Sequence, residues 1–166
     1  MIEETVRKYS DMLYRLAFAK TGNSHDSEDI VQDVFLKLIR SGKTFKDDEH
    51  EKAWLIRVTV NTGKNLLASP QRRKRQYNSE LSSPDMQIGK LDENLERLEN
   101  QAVVYPAVMS LPEKYRLMIH LFYYEDMKIS DIAKATGLSE STIKSRLHRA
   151  RAILKEKLKE VDFNEF

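Results

Sequence analysis

The sequence contains no cysteine, which excludes disulfide bonds and thiolate ligands for a metal. Its five glycines and four prolines are too few for a turn-rich all-β protein of 166 residues. No apolar run approaches the ~18 residues that cross a bilayer, and the N-terminal stretch MIEETVRKYS lacks the apolar segment of a signal peptide. We therefore expect a cytoplasmic protein without membrane insertion.

Charged residues are abundant but unevenly distributed, so the net charge of +2 hides strong local differences. The stretch KNLLASPQRRKR, residues 64–75, carries five positive charges and no acid. Acidic residues dominate the next stretch, and the last helical segment is basic again. This segregation indicates that some parts of the chain face a polyanion and that others do not.

Apolar residues recur at helical spacing in two blocks. The segments YSDMLYRLAFAK, DSEDIVQDVFLKLIR and EKAWLIRVTVNTGKNLL form the first block, and a second block runs from about Gln101 to Leu158. The β-branched centre of the third segment also suits a strand, but no partner strand is in view, so we predict a helix. Between the blocks the chain is polar and is interrupted by Pro70, Pro84 and Gly89, which is typical of a flexible linker. The sequence therefore predicts an all-α protein with two small helical domains, 1–75 and 101–160, joined by a linker over 76–100.

The segment DIAKATGLSESTIKSRLHRAR has the pattern of a helix-turn-helix. Ser130 and Ser139 are suited to cap its two helices, and Gly137 suits a left-handed turn between them. On the second helix, Ile143 and Leu147 belong to an apolar stripe, and the basic residues lie on the opposite side and on the flanks of this helix. The outward and flanking candidates for DNA contact are Ser141, Lys144, Ser145, Arg146, His148, Arg149 and Arg151. An ordinary helical hairpin with a solvated basic face is the alternative interpretation.

The sequence shows no pattern typical of a catalytic site or of a metal site. Asp26, Glu28, Asp29 and Asp33 form an acidic cluster, but a calcium loop starting at Asp26 would need glycine where Val31 stands. The histidines have no spacing suited to zinc, and no phosphate-binding glycine loop is present. We predict no enzymatic activity, no cofactor and no metal.

The segments DSEDIVQDVFLKL and AWLIRVTVNTGKNLL resemble region 2 of the extracytoplasmic-function sigma factors of bacterial RNA polymerase. The segment from SLPEKYRLMIHL to RAILKEKL resembles their region 4. The resemblance covers nearly the whole chain and implies a subunit that binds core polymerase, recognises −35 and −10 promoter elements and starts transcription of a stress regulon. The alternative is a helix-turn-helix regulator without a sigma role, but the first 75 residues show no sensory or dimerising module.

The resemblance also implies partners and site residues. The polymerase should bind through its flap and the clamp helices of its largest subunit, and an anti-sigma factor should restrain the protein. We expect polymerase docking by Asp29, Gln32 and Asp33, with Phe35 in the core. The residues expected to act on the −10 element are Phe45, Lys46, Arg57, Asn61 and Lys64, with further charge from Arg72, Arg73, Lys74 and Arg75. Trp54 matches a family tryptophan, for which a core role is favoured, and Gly63 departs from a common alanine, which suggests a close approach or a bend.

Overall fold

The computed structural model describes residues 2–68 and 95–159, and every regular element in these ranges is helical. The helices are α1 (Ile2–Thr21), α2 (Ser24–Ser41), α3 (Asp48–Leu67), α4 (Leu95–Met109), α5 (Glu113–Ile119), a π-helical turn (His120–Tyr124), α6 (Ile129–Thr136) and α7 (Glu140–Lys159). The all-α prediction is confirmed, and the segment with the β-branched centre is the helix α3. Residues 76–94 of the predicted linker lie outside the described residues, and residues 95–100 belong to α4, which begins at Leu95.

Helices α1, α2 and α3 pack against one another and form the first module. Their contact surfaces are lined by fully buried side chains, among them Leu16, Ile30 and Leu55, and Phe35 is buried as predicted. The side chain of Asn23 caps α2 by accepting a hydrogen bond from the Asp26 backbone N–H at 3.0 Å. The module is therefore a three-helix bundle whose remaining helix faces are available for contacts.

Gly63 lies in the interior of α3, where glycine costs roughly 1 kcal/mol of helix propensity. A Cβ atom at this position would lie 2.8 Å from Cγ of Lys20 and 3.6 Å from Cδ1 of Ile30. The glycine therefore allows α1 to approach α3 closely, which explains its departure from alanine.

Helices α4 to α7 form the second module, in which α5 and α6 both pack against α7. The largest apolar contributions come from Met118, Leu121, Ile132, Ile143 and Leu147, all almost completely buried. The π-helical turn carries the chain from α5 towards α6.

The two modules also pack against each other. Helix α1 contacts α5 and the π-helical turn, and α3 contacts α6. Buried apolar residues from both modules belong to one continuous core. The described residues therefore form one packed body.

Candidate nucleic-acid interface

The turn between α6 and α7 has the geometry of a helix-turn-helix. Gly137 adopts φ 76°, and its N–H donates to the Ala133 carbonyl at 2.9 Å. Ser139 caps α7, because its Oγ accepts from the Thr142 N–H at 3.2 Å, as predicted. The prediction for Ser130 was wrong: α6 begins at Ile129, with Lys128 at the cap position and no side-chain cap.

Helix α7 turns its polar side to solvent. Ile143, Leu147 and Ala150 are buried. The exposed members of the predicted set are Ser141, Lys144, Ser145, His148, Arg149 and Arg151, whereas Arg146 is half-buried. The structure thus brings these residues together on one helix and leaves its N-terminal half exposed. In a helix-turn-helix this half of the second helix is the part that enters a major groove.

Tyr115 and Tyr123, which lie outside the helix-turn-helix, contact arginines of α7. The guanidinium Cζ of Arg151 lies 5.6 Å from the ring centroid of Phe122 and 5.5 Å from that of Tyr123. Nε of Arg151 also donates to the Tyr123 hydroxyl. A hydrogen bond with Arg149 is the main cause that lowers the pKa of the Tyr115 hydroxyl. Arg149 and Arg151 are therefore oriented by different neighbours, although they are only two positions apart.

A second polar stripe lies on α3. Arg57, Asn61 and Lys64 are exposed and follow one another at steps of four and three residues, which places them on one helix face. Trp54 precedes Arg57 by three residues on the same face and is half-buried against the core. The stripe therefore runs along one face of α3 from an aromatic end at Trp54 to a basic end at Lys64.

The loop before α3 meets the aromatic end of this stripe. The Phe45 ring lies 5.7 Å from that of Trp54 and 5.3 Å from that of His50, between centroids. Asp47 caps α3 by accepting from the His50 N–H at 2.8 Å, and the Lys46 N–H donates to His50 Nδ1 at 3.2 Å. The loop is thereby anchored, and Lys46 is exposed beside the half-buried Phe45.

The acidic face of α2 lies beside residues of the same helix. Asp33 forms an ion pair with the Lys37 ammonium at 3.1 Å, and Asp29 lies 3.6 Å from Nε2 of His25. Gln32 is exposed between them. No group of three or more potential metal ligands was found in residues 2–68 and 95–159.

Several candidate residues were missed by the sequence reasoning. Leu36 and Ile39 are 46% and 58% exposed on α2, close to the acidic face. Leu36 follows Gln32 by four residues and Asp29 by seven, so extension of the acidic stripe along the helix would have identified it. Tyr115, Phe122 and Tyr123 had no such signal, because their contacts with α7 join distant parts of the chain.

Two family models match the chain in order along its length. Sigma-70 region 2 matches residues 5–74, and Sigma-70, region 4 matches residues 103–154. None of the described helices is both long and apolar enough to cross a membrane.

Several known proteins with similar sequences or structures are sigma factors. The chain is 31% identical to the ECF RNA polymerase sigma factor SigE of Mycolicibacterium smegmatis, over 94% of this chain but only 61% of that protein. It is 31% identical to the RNA polymerase sigma factor SigV of Bacillus subtilis, over 91% of this chain and 87% of that protein. Among solved structures, the sigma factor RpoE of Bartonella quintana, in complex with the anti-sigma factor NepR, aligns with a TM-score of 0.70 and 26% identity, covering 96% of this chain and 97% of that one. With both sigma regions in order and SigV matched over most of its length, the chain belongs to the extracytoplasmic-function (ECF) sigma factors of bacterial RNA polymerase.

Proposed function

We propose that this sigma factor reads the −35 element with α7 and the −10 element with α3 and its preceding loop. The observation that carries this proposal is the presence of two separate exposed stripes, one on each module. Each combines basic residues with side chains that hydrogen-bond to bases. The domain limits that follow are 1–75 for −10 recognition and polymerase docking, and 101–160 for −35 recognition.

At the −10 element, the aromatic end of the α3 stripe is suited to a base that has left the duplex. Such a base stacks on aromatic rings and is recognised by hydrogen bonds to its edge. Phe45 and Asn61 supply these two functions, and Lys46, Arg57 and Lys64 neutralise the neighbouring phosphates. Trp54 supports Phe45 from the core side.

At the −35 element, Arg149 is assigned to a base edge and Arg151 to a phosphate. Ser141, Lys144, Ser145 and His148 share the exposed side and divide the remaining contacts between bases and backbone, and Arg146 approaches a phosphate from the flank. Tyr123 and Phe122 act as positioning residues, because they hold the Arg151 guanidinium while leaving its terminal nitrogens for a phosphate.

Polymerase docking is assigned to α2, through Asp29, Gln32 and Asp33 on the clamp helices of the largest subunit. Leu36 and Ile39 extend this surface with apolar area. The second module binds the flap. The match to a sigma factor crystallised with its anti-sigma factor supports restraint of this protein by an inhibitor of that kind.

The protein confers specificity on the polymerase and has no catalytic activity of its own. Its place of action is the cytoplasm, where it meets core polymerase, and the promoters it reads belong to a stress regulon. These assignments rest on membership of the ECF family.

The test of the function is reconstitution with core RNA polymerase and a pool of genomic DNA fragments. We expect a set of transcription starts that appear only when the protein is added and that share upstream sequences at −35 and −10. An unchanged set of starts would contradict the sigma role.

Asn61→Ala tests the −10 assignment. We expect weaker binding to single-stranded non-template DNA and fewer open complexes, with little change in binding to duplex −35 DNA, which serves as the internal control. Open-complex formation equal to that of the wild type would place the base pocket elsewhere.

A further inference from the structure

The π-helical turn between α5 and α6 has a backbone that its sequence does not favour by itself. The Glu125 N–H closes the turn by donating to the His120 carbonyl, five residues earlier, at 3.0 Å. Asp126 follows with φ 52°, a left-handed conformation that is uncommon outside glycine, and the segment from His120 to Lys128 contains no glycine. Turns of this kind are rare and occur frequently at functional sites. Side-chain contacts must therefore hold this turn in place.

A buried pair of side chains joins the same two residues that close the turn. The side chains of His120 and Glu125 are only 5% and 8% exposed, and Nε2 of His120 lies 3.2 Å from Oε1 of Glu125. Within the described part of the chain, this nitrogen has no hydrogen bond of regular geometry, so the nearby carboxylate is the group that compensates it. Either group buried alone would be costly. We call His120 and Glu125 the turn-closing pair.

The inner side of the turn is anchored in the core of the second module. The His120 ring stacks on the Tyr124 ring, with centroids 5.5 Å apart. Tyr124 in turn meets Tyr105 on α4 edge to face, at 6.1 Å between centroids. Leu121, the next residue after His120, is fully buried. Because these groups are closely packed, the turn-closing pair ties the backbone of the turn to a fixed position in the core.

The outer side of the turn carries the two aromatic residues that contact Arg151. Phe122 and Tyr123 lie between the members of the pair in the sequence, and their rings meet edge to face at 4.9 Å. The Arg151 guanidinium lies over both rings, and its Nε donates to the Tyr123 hydroxyl. One residue corresponds to a rotation of about 100° around an α-helix. Relaxation of the π-helical turn to regular α-geometry would therefore change the direction of Tyr123 by an angle of this order.

We propose that the turn-closing pair positions Arg151 for promoter binding. The pair fixes the π-helical turn, the turn fixes Phe122 and Tyr123, and their rings direct the guanidinium at a phosphate of the −35 element. Both members of the pair are buried, so they act through Arg151 and not by contact with DNA. The phosphate contact rests on the proposed function, whereas the control of Arg151 by the pair does not depend on DNA.

The first arm of the test measures the surroundings of Arg151 in the free, full-length chain. The ring currents of Phe122 and Tyr123 displace the NMR signal of the Arg151 Nε–H group, and Arg151→Lys identifies this signal by removing it. Glu125→Met keeps the length of the side chain but removes its acceptor oxygens, and we expect it to move the signal to the range of exposed arginines. Glu125→Gln keeps an acceptor oxygen and should retain most of the wild-type displacement.

A second variant breaks the pair from its other side. His120→Phe keeps a ring that can stack on Tyr124 but removes the nitrogen that faces Glu125, so it should change the Arg151 signal as Glu125→Met does. Far-UV circular dichroism checks that each variant is folded. A wild-type signal in both folded variants would overturn the proposal.

Val108→Ala supplies the matched control for loss of stability. Val108 is a buried residue of α4 outside the π-helical turn, and its truncation destabilises the second module. The Arg151 signal should keep its wild-type position in this variant. The same change of signal in Val108→Ala and Glu125→Met would contradict a specific role of the pair.

The second arm measures binding to an isolated −35 duplex at several salt concentrations. Glu125→Met should lower the slope of log affinity against log salt by about one, as expected for one lost phosphate contact, and should leave the preference among base pairs unchanged. In an Arg151→Ala background the same substitution should have no further effect, because residues that act through one group are not additive. Additive losses would show that the pair acts by another route and would overturn the proposal.

The two arms also separate this proposal from the assignment of Arg151 to a phosphate. Unchanged binding in Arg151→Ala alone would contradict the phosphate contact of the proposed function. The NMR signal would still decide whether the turn-closing pair controls the position of Arg151, since neither DNA nor polymerase is present in that measurement.

Discussion

Arg149 and Arg151 are only two positions apart on α7, but their side chains contact different residues. Arg149 interacts with the Tyr115 hydroxyl and lowers its pKa, whereas Arg151 packs on Phe122 and Tyr123. A bidentate arginine–guanine pair contributes ~1–3 kcal/mol of discrimination, and a phosphate contact contributes affinity without sequence preference. The two residues should therefore fail in different ways when they are removed.

We expect Arg149→Ala to flatten the preference for one base pair of the −35 element, and Arg151→Ala to weaken binding to all sequences alike. Arg151→Ala should also lower the slope of log affinity against log salt by about one. Binding to promoters changed one base pair at a time, at several salt concentrations, measures both effects. Arg7→Ala, an exposed arginine on α1, is the matched control. Equal effects of the two substitutions on every sequence would make α7 a purely electrostatic anchor.

Single-residue features were predictable where their signal is local. Ser139 was identified as a cap because cap, turn glycine and apolar stripe all lie within a few residues of one another. Ser130 was assigned wrongly because α6 starts one residue before it and uses no side-chain cap. The contact between Tyr123 and Arg151 joins residues 28 apart, and no periodic pattern reports a contact of that kind.

Among the helices, α2 combines an acidic and an apolar surface. We expect Asp29→Ala, Gln32→Ala and Asp33→Ala together to reduce affinity for core polymerase about 100-fold or more, because central interface contacts dominate binding energy.

Leu36→Ser with Ile39→Ser should weaken association without loss of helicity, since both side chains are already exposed. Titration of labelled protein with core polymerase measures the affinity.

The matched control for the acidic triple variant is Glu3→Ala with Glu4→Ala. This control also removes two negative charges, but from exposed positions on α1. Divalent cations should leave the thermal stability of the wild type unchanged. Stabilisation that a chelator reverses would favour a metal site on α2 over a docking surface.

Helix α4 brings a titratable group into the second module. Burial, with a further contribution from Tyr124, raises the pKa of Tyr105 from 10.0 to about 12. The folded state thus favours the neutral phenol more than the unfolded state does, so the associated stability is complete below pH 10 and is lost as the pH rises towards 12. We expect the melting temperature to fall over this range less steeply in Tyr105→Phe than in the wild type. Parallel curves for the two proteins would contradict this assignment.

The helices themselves were largely predictable because a period of 3.6 residues is visible within each of the two apolar blocks. In α3 the β-branched residues Val58, Thr59 and Val60 compete with that period, and packing against α1 and α2 decides in favour of helix. The start of α4 was less clear, since it follows a polar stretch that lacks periodicity.

At the scale of the whole molecule, the shared core predicts coupled unfolding. We expect urea to unfold the wild type in a single transition, monitored by circular dichroism and by the fluorescence of Trp54 in the first module. Glu113→Lys replaces the ion pair between Lys20 on α1 and Glu113 on α5 with two like charges. It should therefore separate the two signals, because the modules then unfold independently. Two separate transitions in the wild type would show that the packing between modules contributes little stability.

The division into two modules was evident from the loss of periodicity between them, but their packing was not. A helix face that meets the other module has the same composition as a face that meets solvent or a partner. Arg116 belongs to an unremarkable amphipathic pattern, and only the three-dimensional arrangement places it at the end of α1.

Arg116 on α5 caps the C-terminal end of α1 by donating to the Ala19 carbonyl, and this contact has a consequence in time. Its arginine is encoded 97 residues after the carbonyl it binds, which at about 5–20 residues per second of synthesis is a delay of roughly 5–20 s. During this interval α1, α2 and α3 have already been synthesised, whereas the residue that caps the C-terminal end of α1 has not. The packing of α1 against α5 can therefore form only after the second module has been made, so the order of synthesis fixes the order in which the two modules assemble.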